Sequence, residues 1–204
     1  MTKIKICGLK REKDIEYINE VKPDFIGFIF AAKSHRYVDP AQAARLSAML
    51  DPGITPVGVF VNAPAEDVAA LLKSGVIKIA QLHGSEDEDY IARLRALTDA
   101  PIIKAFSVET AEDVAKAAAS PADYLLLDHG SGGTGEAFDW SLLTGIDRPY
   151  FLAGGLHPGN VQEALGLAAP FAVDVSSGVE TDKIKDPEKI KAFVRAVREM
   201  EERQ

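Results

Sequence analysis

Two side chains in this sequence combine a type suited to proton transfer with a position at the end of an apolar run. Cys7, the single cysteine, closes the alternating stretch Lys3-Ile4-Lys5-Ile6 and is followed at once by Gly8. Asp128 closes Leu125-Leu126-Leu127 and leads into His129 and the segment Gly130-Ser131-Gly132-Gly133-Thr134-Gly135. A thiol, of reference pKa about 8.5, serves as a base when nearby positive charge or N–H donors favour the thiolate. A carboxyl group on the far side of a bound molecule supplies the matching acid. Such a pair suits an isomerase that removes one proton and delivers another elsewhere. The ordinary uses of these residues are different: a lone cysteine is most often a small buried hydrophobe, and an aspartate after a strand most often caps the next loop.

Other run ends carry further candidates. Ala153-Gly154-Gly155 and Asp174-Val175-Ser176-Ser177-Gly178 can offer backbone N–H groups to an anion, or simply make tight turns. Arg36 has the fork that suits a carboxylate, or is a solvated surface arginine. Gln81 and His83 alternate and therefore point the same way, although lone core histidines are common. Asp174 points into the same region or holds a backbone amide there. The four histidines, His35, His83, His129 and His157, have no ligand spacing, so no metal is expected.

The elements that must position these residues are readable. Strand-like runs fall at 3–8, 25–30, 55–61, 77–84, 101–108, 124–128, 150–155 and 171–176, and several are apolar throughout, as in parallel strands covered on both faces. Helical spacing falls between them at 12–21, 40–50, 65–74, 86–97, 110–118 and 158–167, with a last helix over 187–201. Asp39-Pro40, His157-Pro158 and Asp186-Pro187 place proline where a first helical turn tolerates it. Between strands six and seven only 139–143 is compatible with a helix. Eight strands alternating with helices, at about 25 residues per unit, imply α/β architecture. An open doubly wound sheet competes with a closed barrel; the even spacing and the count of eight favour one (β/α)8 TIM barrel domain over 1–204, with its chemistry at the C-terminal strand ends.

Composition bounds the partners. The 204 residues are 47% hydrophobic and 26% charged, with net charge −8. That acidity disfavours nucleic acid. The longest apolar run, 25–32, is far short of the roughly 20 residues a bilayer requires. One cysteine excludes an intramolecular disulfide, and no apolar signal core opens the chain. A cytoplasmic protein acting on a small molecule is expected, without membrane partner, as monomer or homodimer.

Taken together and in order, Lys5-Ile6-Cys7-Gly8-Leu9, Gly58-Val59-Phe60-Val61-Asn62, Gln81-Leu82-His83-Gly84, Leu127-Asp128 with its glycine-rich loop, Ala153-Gly154-Gly155-Leu156 and Asp174-Val175-Ser176-Ser177-Gly178-Val179-Glu180 resemble the phosphoribosylanthranilate isomerase family of tryptophan biosynthesis. The resemblance spans nearly the whole chain. It implies an Amadori rearrangement of a phosphorylated small molecule with no cofactor. Asp128 would be the general acid and Cys7 the general base, with Arg36 on the anthranilate carboxylate. Gly155, Ser177 and Gly178 would bind the phosphate, with Gly154 and Ser176 beside them. Gln81, His83 and Asp174 would line the substrate site, and the loop carrying Gly132, Gly133, Thr134 and Gly135 would close over it. Other phosphate-binding barrels compete. An indole-glycerol-phosphate synthase is expected to need a catalytic lysine and an N-terminal extension. A histidine-pathway isomerase is expected to show a second phosphate site, for which Val61-Asn62 and His83-Gly84 lack a matching Gly-Ser pair. A non-catalytic phosphate-binding protein would leave Cys7 and Asp128 dispensable.

Overall fold

The computed structural model describes residues 1–128, 140–143 and 145–201. Eight parallel strands close into a barrel in the order of the chain. They are β1 (Lys3–Cys7), β2 (Phe25–Ile29), β3 (Thr55–Phe60), β4 (Ile79–Leu82), β5 (Ile102–Ser107), β6 (Tyr124–Asp128), β7 (Tyr150–Leu152) and β8 (Ala172–Val175). The helices between them are α1 (Glu12–Val21), α2 (Pro40–Ala48), α3 (Ala65–Lys73), α4 (Glu88–Arg95), α5 (Ala111–Ala118) and α6 (Val161–Leu167). After β8 a hairpin of β9 (Glu180–Thr181) and β10 (Ile184–Lys185) leads into α7 (Pro187–Glu201). Between β6 and β7 the described residues hold a single 3-10 turn, Trp140–Leu143, within the stretch the sequence marks as weakly helical.

Helix starts follow local chemistry. Asp39 caps α2 by accepting from Gln42 N–H at 2.8 Å, with Pro40 in the first turn. Asp87 caps α4 through Tyr90 N–H at 2.8 Å, so that helix begins at Glu88 and not at 86. Pro158 does not open α6. His157 N–H donates to Asn160 Oδ1 at 2.8 Å, and the turn so made delays the helix to Val161. β7 stops at Leu152 because Gly154 and Gly155 adopt φ +85° and +64°, the left-handed region that breaks a ladder.

Two apolar layers hold the barrel. The larger packs strand outer faces against the helices and includes the fully buried Ile6, Phe28, Leu82 and Phe193. The smaller fills the barrel interior with Val57, Ile79, Ile103, Leu126, Phe151 and Ala172. At its N-terminal end four rings pack together: Phe25 meets Phe151 edge-on at 5.4 Å, and Tyr124 lies 5.1 Å from Phe171. These rings fill the bottom of the barrel interior.

Candidate active site

The C-terminal strand ends surround a cavity of about 300 Å³. Its lining includes Cys7 from β1, Gln81 from β4, Asp128 from β6, Asp174 from β8, and His83, Gly154, Gly155, Ser176 and Ser177 from the turns that follow strands. Arg36 enters from the β2–α2 connection, and Ile29, Val59 and Val61 form an apolar wall on that side. The two proton-transfer candidates and the two glycine- and serine-bearing turns thus share one space. Gly178 lies outside the lining. A Cβ there would fall 1.9 Å from the Leu156 carbonyl oxygen, so its glycine lets the turn after β8 pack against the turn after β7. Gly132, Gly133, Thr134 and Gly135 lie outside the described residues.

Cys7 sits in a charged pocket of its own. Its strand partner is Gly27, where a Cβ would come 2.5 Å from the thiol sulfur. Lys5, two residues before it on the same face, is fully buried and donates to Asp174 Oδ2 at 2.8 Å. Burial alone would drive the Lys5 ammonium down; Asp174, helped by Cys7, outweighs it, and the net direction is up, so Lys5 stays charged. Burial pushes the Cys7 thiol up, with Lys5 and Lys185 pulling the other way and Asp174 adding to the rise. The thiol is therefore protonated in the unliganded site, and it stands among groups that stabilise the thiolate once the proton leaves.

Arg36 does not present an empty fork. Its Nε and one terminal nitrogen donate to the two Glu180 oxygens at 2.7 and 2.8 Å. Lys185 Nζ reaches the same carboxylate at 2.7 Å and the Ser176 carbonyl at 2.8 Å. Against the opposing pull of burial, Arg36 and Lys185 hold the Glu180 carboxyl down at about 2, and burial draws Lys185 down in turn. Two cations share one buried carboxylate, so the cluster beside Cys7 carries net positive charge. Gly8, at φ +82°, makes room for this arrangement: a Cβ there would strike Arg36 Cδ at 2.4 Å.

On the opposite wall, Gln81 Nε2 donates to His83 Nδ1 at 2.9 Å. That bond places the proton of the neutral ring on Nε2, which lies 3.8 Å from Asp128 Oδ2. Burial lowers the His83 pKa, with Lys5 acting in the same direction, which keeps the ring neutral. Among the described residues, Gln81 Oε1 and Asp174 Oδ1 are buried without a hydrogen-bond partner. Both are acceptors in residues that line the cavity, so the site fits a ligand with hydroxyl or amine donors.

Sequence reasoning missed Lys5, the Arg36–Glu180–Lys185 cluster, and a buried pair of Glu86 and Lys104 beyond β4. Lys5 had a signal: a lysine two residues before Cys7, on the same face of a strand buried on both sides. The expectation that strands three and four end without a Gly-Ser pair is also corrected, since Gly84-Ser85 supplies one. Among the described residues no cluster of three or more histidine, cysteine or carboxylate groups is arranged to hold a metal, and no helix is long and apolar enough to cross a membrane.

A closed parallel barrel with titratable side chains and glycine turns at its C-terminal mouth defines a (β/α)8 enzyme. Comparison narrows the class. Residues 4–196 match the family model for N-(5'-phosphoribosyl)anthranilate (PRA) isomerase. The N-(5'-phosphoribosyl)anthranilate isomerase of Endomicrobium trichonymphae is 45% identical across 98% of this chain and 100% of its own. That of Thermoanaerobacter pseudethanolicus is 43% identical across 97% and 98%. The solved phosphoribosyl anthranilate isomerase of Thermotoga maritima superposes with TM-score 0.88 at 36% identity, covering 98% of this chain and 100% of that one. A structure of phosphoribosyl anthranilate isomerase in complex with reduced 1-(o-carboxyphenylamino)-1-deoxyribulose 5-phosphate does so with TM-score 0.88 at 35% identity and the same coverage. The chain belongs to the N-(5'-phosphoribosyl)anthranilate isomerase family, the aldose–ketose isomerases of tryptophan biosynthesis.

Proposed function

We propose that this chain converts N-(5-phosphoribosyl)anthranilate to 1-(2-carboxyphenylamino)-1-deoxyribulose 5-phosphate, with Asp128 as general acid and Cys7 as general base. The observation that carries this reading is that both residues line one cavity. Its lining also holds Arg36 with the apolar Ile29, Val59 and Val61, and the turns bearing Gly154, Gly155, Ser176 and Ser177. An aromatic carboxylate suits the first and a phosphate the second. The acceptors of Gln81 and Asp174 between them suit the hydroxyl and amine donors of the sugar.

In this reading Asp128 protonates the ribose ring oxygen. The bond from that oxygen to C1 breaks as the anilino nitrogen donates its lone pair, giving the Schiff base. The Cys7 thiol releases its proton to solvent, with Lys5 and Lys185 favouring the thiolate; the thiolate then removes the proton from C2, and the electron pair flows to nitrogen to give the enolamine. A proton gained at C1 and one lost from the C2 hydroxyl leave the ketone. The substrate's own nitrogen is the electron sink, so the sequence of steps uses no cofactor. His83 Nε2–H can follow the Asp128 carboxylate once the proton has been given up. Arg36 receives the anthranilate carboxylate while Lys185 retains Glu180.

The test is fluorescence-monitored turnover of freshly generated substrate by wild type and Cys7→Ser, without added metal or cofactor. Rapid loss of substrate with wild type and little with the variant is expected. No turnover by wild type rejects the reaction; equal turnover by both keeps the reaction and rejects Cys7 as its base.

A further inference from the structure

The turns after β3 and β4 lie across the barrel from those after β7 and β8, four strands away in a ring of eight. They also hold an anion, and it is the protein's own. The Glu86 side chain is 1% exposed. Its Oε1 accepts from Asn62 N–H at 2.6 Å and its Oε2 from Gly84 N–H at 2.8 Å. Lys104 Nζ lies 3.1 Å from Oε2 and is fixed by donating to the Gly84 carbonyl at 2.6 Å.

Two backbone N–H groups and an ammonium converging on one carboxylate are the donor set of an oxyanion site. The cradle is built independently of its occupant. Asn62 is held at φ +54°, and its Oδ1 accepts from Ser85 N–H and Oγ at 2.9 and 3.0 Å, locking the two turns together. Gly84 is obligatory there, since a Cβ would fall 2.6 Å from Asn62 Oδ1. Glu86 also stands between two surface clefts of about 460 and 370 Å³, both of which it lines. Removing its side chain would open the cradle to solvent.

We propose that the turns after β3 and β4 form a second oxyanion cradle, distinct from the β7/β8 turns, and that Glu86 fills it with an internal carboxylate and so keeps it closed to anions from solution. This does not rest on the proposed function. Loss of the Glu86 carboxylate leaves Lys104 and two N–H groups without their anion, and sulfate or phosphate takes its position.

The experiment is thermal unfolding of wild type and Glu86→Ala in sodium sulfate, in sodium chloride of equal ionic strength, and in sucrose as a generally excluded solute. Any effect of sulfate at the β7/β8 turns is common to both proteins. Glu86→Ala is expected to show a saturable extra rise of about 3 °C in sulfate, absent from wild type and from sucrose. If the variant is unfolded in chloride, recovery of its folded circular dichroism in sulfate beyond that in sucrose is the same result. Equal sulfate responses in the two proteins, or recovery no better than in sucrose, overturns the proposal. The readout uses inorganic sulfate and no turnover, so its failure leaves the isomerase reading standing, and failure of the turnover assay leaves the cradle standing.

Discussion

The two ends of the barrel interior are built on the same strands and to opposite specifications. The bottom is closed by Phe25, Tyr124, Phe151 and Phe171, whose edge-on and tilted contacts gain from area and shape. The top holds Lys5, Asp174, Glu180 and Lys185 in ion pairs with side chains at most 8% exposed. Buried ion pairs return little net stability, because desolvation cancels much of the attraction. The bottom therefore stabilises the fold, and the top spends stability to place charge beside a thiol.

If that division holds, changes at the top lower turnover and changes at the bottom lower stability. The largest effect is expected for Cys7→Ser and Asp128→Asn, each losing about 10²–10⁴-fold in kcat with modest change in KM, the usual span of general acid–base catalysis. Steady-state kinetics on both variants, with Tm as control, checks it; wild-type turnover in either removes that residue from its role. At the bottom, Phe151→Ala is expected to cost about 3–5 kcal/mol by urea unfolding, as for other buried aromatics, with kcat in the folded variant little changed. A catalytic loss without a stability loss would break the comparison.

The elements at the two ends were unequally legible from sequence. Strand positions and the candidates Cys7, Asp128 and Asp174 could be read because a strand's period is short and its C-terminal end is known in advance. The ion pairs could not. Arg36 and Glu180 are 144 residues apart, and Lys5 and Asp174 are 169 apart. Only barrel closure brings each pair together. The helical spacing over 86–97 counts Glu86 as helical, whereas Asp87 takes the cap and releases Glu86 to the cradle.

Smaller effects sharpen the account of the top. Arg36→Ala is expected to raise KM more than it lowers kcat, through loss of a charge-assisted contact of about 1.5–3 kcal/mol. An unchanged KM would show that the Glu180 pair is the whole purpose of Arg36. Glu180 sets an acid limit on stability. Its carboxyl titrates near 4.5 when unfolded and about 2 when folded. Its contribution is complete above the unfolded value and is lost as pH falls through the folded one. Urea unfolding at pH 5 and at pH 3 should show a drop in wild type that is smaller in Glu180→Gln. Equal drops would place the acid sensitivity elsewhere.

The bond from Lys5 to Asp174 crosses the seam where β1 meets β8, and Cys7 stands beside it on β1. During synthesis the first of these strands leaves the ribosome long before the last. Until β8 emerges, Lys5 has no carboxylate and Cys7 no companion turn, so an incomplete chain carries the strand of the proposed base without the charged groups that surround it in the barrel. Catalytic competence is thus a late event in the life of each molecule, coincident with completion of the barrel and not gradually acquired.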